Sequence, residues 1–177
     1  MKEEVVMAGF GGQGVMSIGR LLAYAGMKED CEVSWMPSYG PEMRGGTANC
    51  TVIVSDERIP SPLSSRPNSI IVMNLPSLDK FEPRLKKEGI AFVNISLIER
   101  DIERDDIEMI GIPANEIANE LGNSKVANMA MLGAYVAKTG IVDLDTVKNS
   151  LKNVLPERRH GLIPLNEEAL QKGFELV

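Results

Sequence analysis

Reactive side chains are scarce in this sequence. Its 177 residues include two cysteines and one histidine, and only 5% are aromatic. Cys31 and Cys50 are too few for a four-cysteine iron–sulfur cluster, and their spacing matches no zinc motif. A disulfide between them needs an oxidising compartment, to which nothing in the sequence points. Excess positive charge is missing too: 19 Lys and Arg face 25 Asp and Glu, a net charge of −6. That balance argues against a nucleic-acid or anionic-membrane binder, because phosphate-rich partners demand positive charge. No apolar run approaches the ~20 residues of a membrane span. Met1 to Glu4 leads straight into a short apolar strand, without the apolar core and cleavage site of a signal peptide, so a cytoplasmic protein is expected.

What is present suits one folded domain over 1–177. Hydrophobic residues make up 44% and charged residues 25%, the balance of a soluble globular chain. Val5 to Ala8 reads as a buried strand, Gly9 to Gly14 as a glycine-rich turn, and Val15, Ile18, Leu22 and Ala25 as one face of a helix ending near Gly26. Further strands are expected at 32–36, 47–54, 70–73, 90–95 and 107–112, with a short helix over 78–87. After Pro113 the pattern turns helical: segments around Ile117–Leu121, Ser124–Thr139, Leu144–Leu155 (with Asp143 as N-cap) and Leu165–Leu176. Strands alternating with helices predict a Rossmann-like three-layer α/β/α sandwich. Its sheet should be mostly parallel and its C-terminal third helical.

Two loops stand out. Gly9-Phe10-Gly11-Gly12-Gln13-Gly14 fits G-x-G-x-x-G after a strand and before a helix, a context in which backbone N–H groups and the helix N-terminus can hold a phosphate. The ribose-binding acid expected ~20 residues on is missing, since Met36-Pro37-Ser38 occupies that place. A stand-alone dinucleotide-binding redox domain is therefore the weaker alternative, beside a glycine turn that serves packing alone. The second loop holds Ser38, Tyr39, Gly40, Pro41, Glu42, Met43, Arg44, Gly45 and Gly46. Its prolines and glycines fix a backbone path and its large apolar groups suit a contact surface. Arg44 could meet an anion or pair with Glu42. In a parallel sheet both loops should leave the same edge, so Gly9, Gly11, Gly12, Gln13 and Gly14 join 38–46 as cofactor-binding or subunit-contact candidates.

Taken together, GFGGQGV at 9–15 and SYGPEMRGG at 38–46 resemble the gamma subunit of 2-oxoacid:ferredoxin oxidoreductases. Thr47-Ala48-Asn49-Cys50 and the Asn166, Ala169, Gly173 pattern extend the resemblance from Val5 to about Phe174. The loop forms look closer to the 2-oxoglutarate or branched-chain type than to the pyruvate type. The resemblance implies a complex that oxidatively decarboxylates a 2-oxoacid to an acyl-CoA and reduces ferredoxin. It implies thiamine diphosphate, magnesium and iron–sulfur clusters on other chains, and coenzyme A as co-substrate. The implied partners are alpha, beta and ferredoxin-like subunits and external ferredoxin, with no nucleic acid or membrane; a homodimer stays open for the isolated chain. No catalytic or metal-binding residue is expected on this chain.

The remaining expectations concern single features. The apolar helix at 128–137 should be buried on both sides, either by a partner or by the C-terminal helices. His160 reads as a solvated loop residue, Arg158 and Arg159 as a surface charge pair, Cys50 as an inert buried thiol, and the mixed run 99–106 as a solvated connection.

Overall fold

A computed structural model describes residues 1–38 and 47–177. Six strands form one sheet: β1 (Lys2–Phe10), β2 (Glu32–Ser38), β3 (Thr47–Ser55), β4 (Ser69–Val72), β5 (Ile90–Asn94) and β6 (Glu108–Ile112). Their order across the sheet is β2-β3-β1-β4-β5-β6. β1, β4, β5 and β6 pair in parallel, whereas β3 pairs antiparallel with both β1 and β2. Five strands thus point one way and β3 alone is reversed. The reason is local: β3 follows β2 after a short connection, and a parallel return would need a longer crossover. The central strands read as unbroken apolar runs because both of their faces are covered. Val5 to Ala8 and Ile70 to Val72 are all buried.

The two faces are covered unequally. One carries α1 (Val15–Lys28), α3 (Ala114–Glu120), α4 (Ala127–Thr139), α5 (Leu144–Val154) and α6 (Ile163–Phe174) over Met7, Val52, Ile71 and Phe92. The other carries α2 (Leu75–Phe81), whose Leu78 and Phe81 pack with Leu85 and Ile98 on Val6, Ala8, Ile70 and Val72. The three-layer sandwich and the helical C-terminal third follow the sequence reading.

α4 is the central helix. Every residue from Ala127 to Val136 is buried. One side meets the sheet, where Tyr135 packs edge-on to Phe92 with ring centroids 5.5 Å apart. The other side meets α6 at nearly bare backbone. A Cβ on Gly133 would stand 2.0 Å from the Leu170 carbonyl oxygen, and one on Gly173 would stand 1.9 Å from that of Ala130. The C-terminal helices therefore account for the apolar surface of this segment, and no partner is needed to cover it.

Four local readings change. α1 continues to Lys28, past Gly26, whose missing side chain lets the helix settle on Val33 and Val54. α2 is shorter than expected, starts at Leu75 and is capped by Asn74, whose side chain accepts from Ser77 N at 2.9 Å. Asp143 precedes α5 without a capping side-chain bond; its own N–H donates to Glu29 Oε1 at 2.9 Å. The 99–106 run is fastened rather than merely solvated. The buried Glu82 carboxylate accepts from Arg104 N at 3.0 Å and from Arg100 Nη2 at 3.1 Å, and Arg104 pairs with Asp106 at 2.7 Å.

Candidate binding site at the sheet edge

β1 ends at Phe10, and Gln13 closes the turn that follows. Gln13 N donates to Phe10 O at 3.1 Å, and Phe10 N donates to Gln13 Oε1 at 2.6 Å. Gly12 and Gly14 take φ angles of 95° and 77°, a left-handed backbone that glycine adopts without strain. Gly9 serves packing, because a Cβ there would lie 2.9 Å from Met73 Cβ. Gly14 caps α1 with no side chain, and the first helical turn holds no acidic residue. The first N–H groups of a helix have no intrahelical acceptor, and they carry partial positive charge. Here no side chain of the helix quenches them.

Around this turn the strand ends deliver amides. Gln13 Nε2 donates to Met73 O at 3.4 Å, and Asn74 Nδ2 donates to Gln13 Oε1 at 3.3 Å. Asn94, fully buried at the end of β5, donates to Asn115 Oδ1 at 2.8 Å. Asn128, in the first turn of α4, donates to Gly14 O at 3.1 Å, while its Oδ1 has no partner. Two adjoining clefts open here. One of about 190 Å³ is lined by Gly12, Gln13, Asn115, Lys125 and Asn128. The other, of about 310 Å³, lies among Gly12, Gly14, Ser17, Lys125, Asn128 and Arg159.

Such a site can bind polar or anionic groups; its described lining includes Ser17, Ser124 and Lys125 but no histidine, cysteine or carboxylate that would activate a nucleophile. His160 sits half-buried with Nε2 at 2.9 Å from Leu155 O. Cys50 is buried in β3, and burial pushes its thiol up to about 12, beyond the range of a reactive thiolate. Cys31 is half-buried, and burial raises its thiol as well. Among the described residues no three His, Cys, Asp or Glu side chains gather as metal ligands.

The expected loops share this edge as far as they are described. Phe10 pairs with Thr47 and Ser38 with Asn49, so the Thr47 end of 39–46 lies beside the glycine turn and the Ser38 end one strand further along the same edge. Ser38 is exposed; Tyr39, Gly40, Pro41, Glu42, Met43, Arg44, Gly45 and Gly46 fall outside the described residues. The strand order weakens the dinucleotide alternative further. β3 separates β1 from β2, so the end of β2 stands two strands, ~10 Å, from the turn it would have to serve. The sequence reading missed Asn74, Asn94, Asn115, Asn128 and Lys125. An available signal was the asparagine that closes each apolar stretch in IIVMN and AFVN.

Comparison with known proteins bears on the chain as a whole. Residues 4–176 match the family described as pyruvate ferredoxin/flavodoxin oxidoreductase. The ketoisovalerate oxidoreductase subunit VorA of Methanothermobacter marburgensis is 44% identical over 97% of this chain, yet the chain spans only 36% of that protein. The 2-oxoglutarate synthase subunit KorC of Methanocaldococcus jannaschii is 32% identical over 100% of this chain and 95% of its own length. A crystal structure of the gamma subunit of a keto/oxoacid ferredoxin oxidoreductase from Geobacter sulfurreducens superposes with a TM-score of 0.84 at 29% identity. It covers 98% of this chain and 97% of that one.

Proposed function

Because this chain belongs to the pyruvate ferredoxin/flavodoxin oxidoreductase family, we propose that it is the gamma subunit of a thiamine-dependent 2-oxoacid:ferredoxin oxidoreductase. The complex oxidatively decarboxylates a 2-oxoacid to an acyl-CoA and passes the electrons to ferredoxin. The observation that carries this reading is the end-to-end match to a relative of nearly equal length that is itself named as a synthase subunit. The names of two relatives, a ketoisovalerate oxidoreductase subunit and a 2-oxoglutarate synthase subunit, support a branched-chain 2-oxoacid or 2-oxoglutarate as the substrate.

Within that complex this chain does no bond-making. Its candidate site is built of glycine N–H groups, amides, Ser17 and the cations Lys125 and Arg159, groups suited to binding and orienting. We assign thiamine diphosphate, magnesium and the iron–sulfur clusters to the alpha, beta and ferredoxin-like subunits of the complex. The glycine turn and the 38–46 segment face the catalytic subunits or coenzyme A. No described helix is long and apolar enough to cross a membrane, and we assign the complex to the cytoplasm.

Reconstitution tests the reading. Alpha, beta and ferredoxin-like subunits from the same source, with this chain added, should reduce ferredoxin in the presence of 2-oxoacid and coenzyme A. The same mixture without the chain should lose most of that activity. Equal activity with and without it would sink the subunit assignment.

A further inference from the structure

Five helices cover one side of the sheet, whereas α2 and the turn after it cover only part of the other. On the thinly covered side, where three neighbouring strands end, large apolar side chains stay in solvent: Phe10 after β1, Leu75 after β4, and Ile95 and Leu97 after β5, each 40–48% exposed. Ala8 pairs with Val72 and Val72 with Val93, so the three strands end level. Alternation along β1 sends Phe10 to the side of Val6 and Ala8, and Leu75 and Leu97 flank the α2-side core at Leu78 and Ile98. Away from the chain ends, the other exposed large apolar residues among those described, Met27, Leu63 and Leu162, sit on three separate segments. A contiguous apolar patch of this kind marks an interaction surface. Its backbone is tied down. Gln13 Oε1 accepts from Phe10 N at 2.6 Å and from Asn74 Nδ2 at 3.3 Å, while Asn94 donates to Met73 O at 3.5 Å and accepts from Ser96 N at 3.3 Å. Side chains held on fixed strand ends lose little freedom on docking. Between Ile95 and Leu97, the Ser96 hydroxyl donates to Glu116, a carboxylate that joins no ion pair among the described residues.

We propose that Phe10, Leu75, Ile95 and Leu97 form the central contact of this chain with a catalytic subunit, whose facing surface is apolar and sets a lysine or arginine against Glu116. The lengths of the relatives name the occupant. The domain makes up nearly the whole of KorC but only 36% of VorA, where the larger remainder travels on the same polypeptide. A domain that is joined covalently needs no adhesive face, whereas one held by contact alone needs an apolar centre with a polar rim. The patch supplies the centre and Glu116 one charge of the rim. The partner thereby adds the layer that the α2 side of the sheet lacks. The proposal rests on the subunit reading above and adds the place on the chain where the contact is made.

Titration of the full chain against immobilised alpha and beta subunits from the same source, read by biolayer interferometry, tests this. Leu75→Ser and Leu97→Ser should each weaken association about tenfold, the weight of a moderate hot spot. Both side chains are exposed and neither lines the clefts beside the glycine turn, so the fold should survive, and an unchanged melting temperature verifies it. Met27→Ser removes a more exposed apolar group from α1, on the opposite side of the sheet, and should leave affinity within about twofold. Glu116→Gln should flatten the salt dependence of association; an unchanged salt dependence would remove the facing cation. If the parent chain binds and Leu75→Ser and Leu97→Ser bind as tightly, this surface is wrong while the subunit reading stands. Failure of the parent chain to bind would remove both. A parent chain that dimerises by itself, and loses the dimer in Leu97→Ser, would give the face to a second copy and overturn the proposal.

Discussion

Substitution of Gly173 by alanine puts the arrangement of α4 and α6 to the test. The added Cβ would stand 1.9 Å from Ala130 O, 2.7 Å from Ala130 C and 2.8 Å from Ala130 Cα. All three are backbone atoms, so no rotamer change in a neighbour can make room; one helix must move. Overpacking of this kind costs ~1–3 kcal/mol, and alanine returns ~1 kcal/mol as the better helix former. Because the clash is with rigid backbone, the upper part of the range applies and the net loss is about 2 kcal/mol. For a chain of this length each kcal/mol lowers the melting temperature by roughly 2–4 °C, giving a fall of about 4–8 °C. Thermal unfolding followed by circular dichroism reads it directly. Gly161→Ala is the control, since nothing lies within 4 Å of a Cβ there, and its melting temperature should stay within ~1 °C. If Gly173→Ala melts at or above the parent temperature, the close crossing is wrong, and with it the explanation of the apolar helix.

Other consequences are accessible to simple assays. Glu82→Ala removes the acceptor of the Glu103 and Arg104 backbone N–H groups, costing ~1–3 kcal/mol; hydrogen exchange should quicken at these two amides while β1 stays protected, and unchanged exchange would refute the fastening of 99–106. A thiol reagent should modify Cys31 in the native chain and reach Cys50 only on unfolding, since Cys50 is fully buried; native modification of both would contradict the core. The Cys50 thiol titrates near 12 when folded but near ~8.5 when unfolded. The native state therefore keeps a proton that the unfolded chain gives up. Stability that is intact below pH ~8.5 should fall as pH rises toward 12, at up to ~1.4 kcal/mol per pH unit. Cys50→Ala should flatten that slope in denaturant titrations, and an equal slope would remove Cys50 as its source. Gly14→Ala forces a side chain into a φ of 77° against Asn128 Nδ2 and should destabilise by ~1–2 kcal/mol from backbone strain alone; an unchanged melting temperature would deny the turn its geometry.

The elements were legible where local physics decides them. The apolar runs that became β1, β4 and β5 are buried on both faces, so composition alone marks them as strands. Gly122 and Gly140 follow helices with positive φ, 81° and 58°, a backbone that glycine adopts without strain. The two loops were legible as a pair, and the register joining Phe10 to Thr47 places their described ends together. Long-range facts were not legible. The reversal of β3, and its insertion between β1 and β2, depend on which strand edges remain free once the chain collapses. Asn128 lies 114 residues from the Gly14 carbonyl it holds; no local window contains both. Arg100 and Arg104 looked like part of a solvated run because their partner, Glu82, belongs to another segment. The apolar surface of α4 was readable, but the bare glycine faces that let α6 cover it became clear only in three dimensions.

The claim that organises these observations is that the chain is one subunit of a larger redox enzyme and binds without catalysing. Native mass spectrometry of the assembly purified anaerobically through a tag on this chain tests it most directly. The account predicts a complex containing this chain with separate polypeptides that carry thiamine diphosphate and iron–sulfur clusters, and no cluster on the chain itself when the complex is taken apart. A chain that purifies alone, or one that retains a cluster after separation, would contradict it.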